Sequence, residues 1–326
     1  MRRTPALVSS VAVVAVLSAA LVGCAASPDD VSACDPVLPA GDTAALVTAT
    51  GEVGSVPKVT VPAPLVAGEA ERAVLTAGSG LVAQRGMTVD YDAVLLDAAT
   101  GQALQQTSFD GTAHLTRAGA EGALYSALVC SQAGERIAVT TTIRDSGLAA
   151  SGASEVDLAR SLVIVVDVTG VYLGKADGVN AWPSDGLPVV VTAVDGTVGI
   201  TVPSGLEFPS EAHTAMIKRG SGATTALGDT LVVQRGSWGW SQDGTVAEKS
   251  STWDSGQFPL TLTLADEGDQ ALPEEFLTAL VGVPVGSQVL IVLPPSTGAD
   301  ATPGGAEANV FVIDVLGIRS SAAETK

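Results

Sequence analysis

Basic residues are scarce in this chain: 16 Lys and Arg stand against 35 Asp and Glu, and histidine occurs only twice. Setting aside Arg2 and Arg3, which sit in a leader, leaves 14 against 35, a net of −21. Nucleic acid and anionic lipid head groups both require basic surfaces, so neither is expected as a partner. No set of Cys, His and carboxylate falls at metal-ligand spacing, so no metal is expected, and His114 and His213 read as surface polar residues. Gly-x-Ser-x-Gly is missing, and so is a phosphate loop with Lys after its glycines, which removes the nucleophile elbow and the P-loop from consideration. No cofactor is expected. After residue 24 no apolar run is long enough to span a membrane.

Residues 1 to 24 read as a targeting segment: a positive start, an apolar run from Ala6 to Leu21, and Leu21-Val22-Gly23-Cys24 in the form of a bacterial lipobox. A spanning anchor is the alternative, with a run near the short limit of ~17 to 25 residues. The mature chain is expected to begin at lipidated Cys24 and to be held extracytoplasmically on the outer face of the membrane. Residues 25 to 42 form a Ser, Asp, Pro and Ala rich tether. Cys34 and Cys130 then remain, and an oxidising compartment favours a disulfide between them; a buried thiol at Cys130 with Cys34 free is the alternative.

The rest of the chain is one pattern written twice. Gly78, Gly80 and Gly86 are matched at a constant offset of 142 by Gly220, Gly222 and Gly228, and each set opens an alternating strand, Met87 to Leu95 or Asp229 to Val233. A helix-like run then closes in Ala133-Gly134-Glu135-Arg136 or Val285-Gly286-Ser287-Gln288, followed by a strand, a Gly-rich loop and a last strand around Val165 to Val168 or Val312 to Val315. So long a repeat is a domain duplication, since solenoid units run only ~20 to 50 residues.

The expected boundaries are residues 43 to 172 for module 1, 173 to 186 for a linker rich in Gly and Pro, 187 to 318 for module 2, and 319 to 326 for a tail. Each module begins with lead-in segments of alternating β-branched residues, Val47-Thr48-Ala49 with Val59-Thr60-Val61 and Val191-Thr192-Ala193 with Ile200-Thr201-Val202, which read as edge strands. In module 2, Pro273 starts a helix to Leu280, with Glu274 and Glu275 in its first turn and Leu272, Phe276 and Leu280 on one face. Leu124 and Leu128 stand there in module 1. One short helix against a mostly antiparallel sheet makes each module an α+β roll, with the helix covering the sheet.

Gly220-Ser221-Gly222, Gly228-Asp229, Asp243-Gly244, Ser250 to Gly256, Val285-Gly286, Leu293-Pro294-Pro295 and Asn309 to Val312 occur in an order and spacing that resemble the FKBP-type peptidyl-prolyl isomerases, more narrowly the tandem actinobacterial lipoproteins of that type. The resemblance covers residues 72 to 172 and 214 to 318 and implies two tandem FKBP-like domains. It implies isomerisation of X-Pro bonds in secreted or envelope proteins, with proline-containing segments as partners. In module 2 it puts Phe276 at the pocket floor, Phe311 on the last strand, Glu248 beside the reacting amide, and Leu260, Leu272, Pro273 and Arg235 around the pocket. Arg235 and Thr297-Gly298 replace the family's two tyrosines, and Ala247 an aromatic wall. In module 1, Ala93, Leu104-Gln105, Leu124, Ser146 and Ile164 take the pocket positions, so module 1 reads as a folded spacer or docking domain. Phe276 and Phe311 remain open to a second reading, as ordinary core aromatics. The functional alternative is peptide binding or holdase action without catalysis. Trp238 and Trp240 share one strand face and form either an exposed patch or a contact with the lead-in strands.

Overall fold

The computed structural model describes residues 34–149, 152–181, 186–268, 271–295 and 306–319. Cys24 and the Thr297-Gly298 pair lie outside them. Module 1 runs α1 (Asp42–Ala45), β1 (Thr48–Thr50), β2 (Lys58–Thr60), β3 (Glu71–Thr76), β4 (Thr88–Asp97), β5 (Ala103–Gln106), β6 (Leu115–Arg117), α2 (Ala123–Ala127), β7 (Arg136–Thr142), α3 (Glu155–Leu158) and β8 (Ser161–Tyr172). Module 2 runs β9 (Val179–Asn180), β10 (Val189–Thr192), β11 (Val198–Thr201), β12 (His213–Arg219), β13 (Thr230–Ser241), β14 (Val246–Ser251), β15 (Leu260–Thr263), α3's successor α4 (Glu274–Leu280), β16 (Gln288–Leu293) and β17 (Glu307–Arg319). The first sheet has the order β3-β7-β8-β4-β5 with β6 also on β4, and the second β14-β13-β17-β16-β12-β9 with β15 also on β13. All their pairings are antiparallel.

The repeated glycines have a steric cause. A Cβ on Gly78 would lie 2.6 Å from the Ala133 carbonyl oxygen, and one on Gly220 would lie 2.1 Å from that of Val285. The two halves of the repeated motif therefore meet in space, the loop before the first long strand pressing on the loop after the helix. A second repeated device is a threonine. The Thr107 amide donates to the Ala93 carbonyl at 3.0 Å while Ala93 N–H donates to the Thr107 hydroxyl at 3.1 Å. Thr252 and Arg235 do the same at 2.9 Å and 2.9 Å.

Strand alternation splits each sheet into two apolar faces. On one face of the first sheet Leu124 and Leu128 pack against Val89, Ile137 and Ile164; on one face of the second Phe276 and Leu280 pack against Val233, Ile291 and Ile313. The opposite faces are covered as well, which departs from the edge-strand expectation. The lead-in segments pair with themselves, β1 with β2 and β10 with β11, and each hairpin lies across the outer face of its sheet. Val47, Val59 and Val61 meet Val94, Val163 and Val165; Val190, Val198 and Ile200 meet Leu290, Val310 and Val312. Alternation announced strands, but a segment apolar on one side satisfies that side equally well on top of a sheet as at its edge. Trp238 and Trp240 are buried under the second hairpin, with Phe208 edge-on to Trp240 at 5.2 Å.

A polar row crosses each outer face beneath its hairpin. In module 1 the Arg136 guanidinium holds Asp167 through Nε at 2.5 Å and Nη2 at 2.7 Å, with both side chains 1% exposed. Arg136 also donates to the Gly51 and Glu52 carbonyls, and Asp167 accepts from Gly54 N–H, so the tip of the first hairpin is tied to the row. In module 2 Gln288 replaces the cation and donates to Asp314 at 2.8 Å, while the Thr192 hydroxyl of the second hairpin donates to Gln288. Asp314 accepts a further bond from Ala176 N–H at 2.9 Å.

That last bond bears on the segment expected to be a linker. Leu173 N–H donates to the Leu316 carbonyl, Gln234 to that of Gly174, Gly178 N–H to that of Gly286, and β9 extends the second sheet beside β12. Described residues 173 to 181 are thus built into module 2, because the carbonyls and the buried carboxylate there need partners. Arg319, assigned to the tail, ends β17 and pairs with Asp90 of module 1 at 2.6 Å. Cys34 and Cys130 are bonded, with Cα atoms 5.6 Å apart, which joins the start of the described chain to the loop after α2.

Two stability tests follow from the polar rows. Asp167→Ala strands a buried guanidinium and is expected to cost about 3–5 kcal/mol in urea unfolding; a loss below ~0.5 kcal/mol would show that the pair does not hold the outer layer. Burial raises the Asp314 carboxyl above its usual 3.8, partly offset by the bonds from Ala176 and Gln288. A raised folded value means that ionisation costs more in the folded than in the unfolded state, so the penalty is absent in acid and grows as pH rises through the folded value. Asp314→Asn does not ionise, so its stability relative to the unsubstituted chain is expected to improve from about pH 3 to about pH 7. The opposite slope in paired urea titrations would contradict the assignment.

Candidate functional site

The face under α4 collects most of the residues that the sequence singled out. Pro273 precedes the helix in extended conformation, its ring fixing the chain direction, and Glu274 and Glu275 in the first turn suit the positive helix end. Helical spacing then buries Phe276, Ala279 and Leu280. Phe311 comes from β17, on the side that carries Ile313 and Val315. The Phe276 and Phe311 rings meet edge to face, with centroids 5.1 Å apart and planes at 68°. Leu260 and Leu272 pack into the same apolar cluster. Phe276 is buried and Phe311 half-buried, so the pair is at once the end of the core and the start of a surface.

Arg235 belongs to the same face. It follows Val233 by two along β13 and lies opposite Ile313, while the next residue on that side, Ser237, lies opposite Phe311. Its backbone is clamped by the Thr252 bonds described above. Arg235 is thus a half-buried cationic residue on the sheet face that carries Phe311.

Glu248 is not brought to this group. A bulge between Ser237 and Trp238 puts one extra residue into β14, so that Ser237 pairs with Ser250 and Trp238 with Glu248. Without the bulge Glu248 would pair with Gly239, on the side of Ser237 and Phe311. With it, Glu248 is exposed opposite Trp238, on the hairpin side of the sheet. The grouping of Glu248 with Phe276 and Phe311 fails for this reason, since a shift of one residue moves a strand's side chains to the other face.

Module 1 presents a different surface at the equivalent place. Leu124 and Ile164 are fully enclosed, and the buried Ser146 hydroxyl donates to the Ile143 carbonyl. Two aromatics that the sequence reading left out, Tyr91 and Tyr125, pack at the margin of the same cluster. Burial, with Tyr125 and Asp92 nearby, lifts the Tyr91 hydroxyl to about 12. The signal for Tyr91 was available, because it stands two residues before Ala93 on the same alternating strand. His213 is exposed, and His114 lies 3.5 Å from Asp92.

Three grooves open elsewhere. One of about 670 Å³ lies between the second hairpin and β12, lined by Pro188, Val190, Met216 and Lys218. One of about 370 Å³ borders β3 and Cys130, and another of about 370 Å³ is lined by Tyr172, Leu173, Ser221 and Leu316. Chemically, the α4 face offers two aromatic rings and two leucines, with Arg235 on the same side of β13. It can hold an apolar ring; among the described residues of this face no nucleophile is paired with a base.

No family model matches the chain, and no curated protein matches it. Among solved structures it is similar to the three FKBP domains of wheat FKBP73, at 16% identity over 76% of this chain and 94% of that one, with a TM-score of 0.30. It is also similar to FkpA from Escherichia coli, at 20% identity over 40% of this chain and 52% of that one, with a TM-score of 0.26. A putative peptidyl-prolyl cis-trans isomerase FKBP12 from Mycobacterium tuberculosis matches at 24% identity over 34% of this chain and 86% of that one, with a TM-score of 0.25.

Proposed function

We propose that this chain is an extracytoplasmic FKBP-type peptidyl-prolyl isomerase, anchored to the membrane through lipid on Cys24, whose peptide site is the α4 face of module 2. The observation that carries the reading is the half-open Phe276–Phe311 pair, at the two positions that the sequence resemblance assigns to the pocket floor and last strand. Rotation about an X-Pro bond faces a barrier of about 18 to 20 kcal/mol because the amide is conjugated. A face that grips the proline ring and supports the twisted amide better than the planar one lowers it, at about 1.4 kcal/mol per decade of rate. Phe276, Phe311, Leu260 and Leu272 supply the grip, and Arg235 supplies donors for a substrate carbonyl. Clients are proline-containing segments of secreted or envelope proteins, whose slow cis/trans steps such an enzyme would shorten.

The position of Glu248 favours a second reading, in which the face binds such segments without accelerating isomerisation. No carboxylate is then available beside the amide from that strand, and only the gripping part of the site remains.

A proline-peptide isomerisation assay on the full chain separates the two. Phe276→Leu, which largely preserves volume and hence folding, is expected to lower the rate at least about tenfold. Glu248→Gln is expected to leave it unchanged. A full chain with no rate above the uncatalysed reaction would sink the enzyme reading, and titration with an unlabelled proline peptide followed by tryptophan fluorescence would then test binding alone.

A further inference from the structure

The Arg117 guanidinium of module 1 makes three hydrogen bonds, and all of them go to module 2. Nη2 donates to the Thr252 carbonyl at 2.6 Å and to Gln234 Oε1 at 3.2 Å, and Nη1 donates to the Gln257 carbonyl at 3.1 Å. The guanidinium is half-buried, and the residue sits on β6, a three-residue strand held by β4. Two of the three acceptors, the Thr252 and Gln257 carbonyls, lie on the connection between β14 and β15, the segment that leads from Ser251 to Leu260, and the third is on β13. Thr252 in turn brackets the backbone of Arg235 from both sides, receiving its N–H on the hydroxyl and donating to its carbonyl. A chain of direct contacts thus runs from Arg117 through Thr252 to Arg235, and along the loop to Leu260. Arg235 lies on the sheet face that carries Phe311, and Leu260 packs in the apolar cluster of Phe276 and Phe311.

We infer that module 1 acts as a clamp on the peptide site of module 2, with Arg117 as the positioning residue. The inference rests on the reading of the α4 face as that site. Carbonyls at a loop apex otherwise bond to water and leave the loop free to fluctuate; a charged fork with several donors fixes two of them at once. A separate contact between the modules, Arg319 with Asp90 at 2.6 Å, joins the end of β17 to β4 and touches none of these loop groups. It provides an internal control: both contacts couple the modules, and of the two Arg117 is the one that holds the site loop.

The test uses the full chain with Arg117→Met, Arg117→Lys and Arg319→Gln. Hydrogen exchange of the Thr252 amide, measured without peptide, is expected to speed up about tenfold or more in Arg117→Met and to be partly restored in Arg117→Lys. Arg319→Gln should leave it unchanged. With a proline peptide, Arg117→Met is expected to raise KM, or Kd if no turnover is seen, about tenfold with kcat little altered. Unchanged exchange in Arg117→Met, or equal acceleration in Arg319→Gln, overturns the clamp, because the first shows no hold on the loop and the second shows general loosening. If Phe276→Leu leaves peptide affinity intact, the site reading fails instead; Thr252 exchange still decides whether Arg117 holds the loop.

Discussion

A carboxylate buried on the last strand of each sheet organises what packs on the outer face. Asp167 and Asp314 occupy equivalent places, facing Arg136 and Gln288 on the neighbouring strand. A carboxylate removed from water must be met by donors; beyond Arg136 and Gln288 in the sheet, a further one comes from outside it, Gly54 in one module and Ala176 in the other. In module 1 the demand draws in the tip of the first hairpin. In module 2 it draws in the segment between the modules. The same constraint therefore produces a covered outer face once and a docked connection the second time.

On the helix sides the copies diverge. The glycines, the threonine brackets and the core strands are common to both, since they set backbone approach and pairing. What differs is the group at the lip. Leu124 and Ile164 close module 1, whereas Phe276 and Phe311 leave module 2 partly open beside Arg235. A shared framework thus carries two different surfaces.

Much of this was legible in residues alone. The 142-residue offset located both sheets, and the glycines at its nodes proved to be points of steric contact. The helix from Pro273, with its acidic first turn, lies where its spacing put it. Three features were not legible, for separate physical reasons. The hairpins read as strands, but strand pattern is silent about whether a one-sided segment joins a sheet edge or lies over a sheet. Glu248 was displaced by a bulge at Ser237 and Trp238, and nothing in Ala247-Glu248-Lys249 announces an extra residue. The connection at residues 173 to 181 looked like a linker because its glycines break apolar periodicity, yet at Gly178 a Cβ would lie 2.3 Å from Arg219, so that glycine serves close packing.

Mapping of backbone amide shifts in the full chain, titrated with a proline-containing peptide, tests the central claim most directly. The account predicts perturbations at Gln234 to Ser237, Leu260 to Leu262, Glu274 to Leu280 and Val310 to Val312, with the corresponding strands and helix of module 1 unmoved. Shifts centred on Tyr91, Leu124 and Ile164, or none anywhere at saturating peptide, would contradict it.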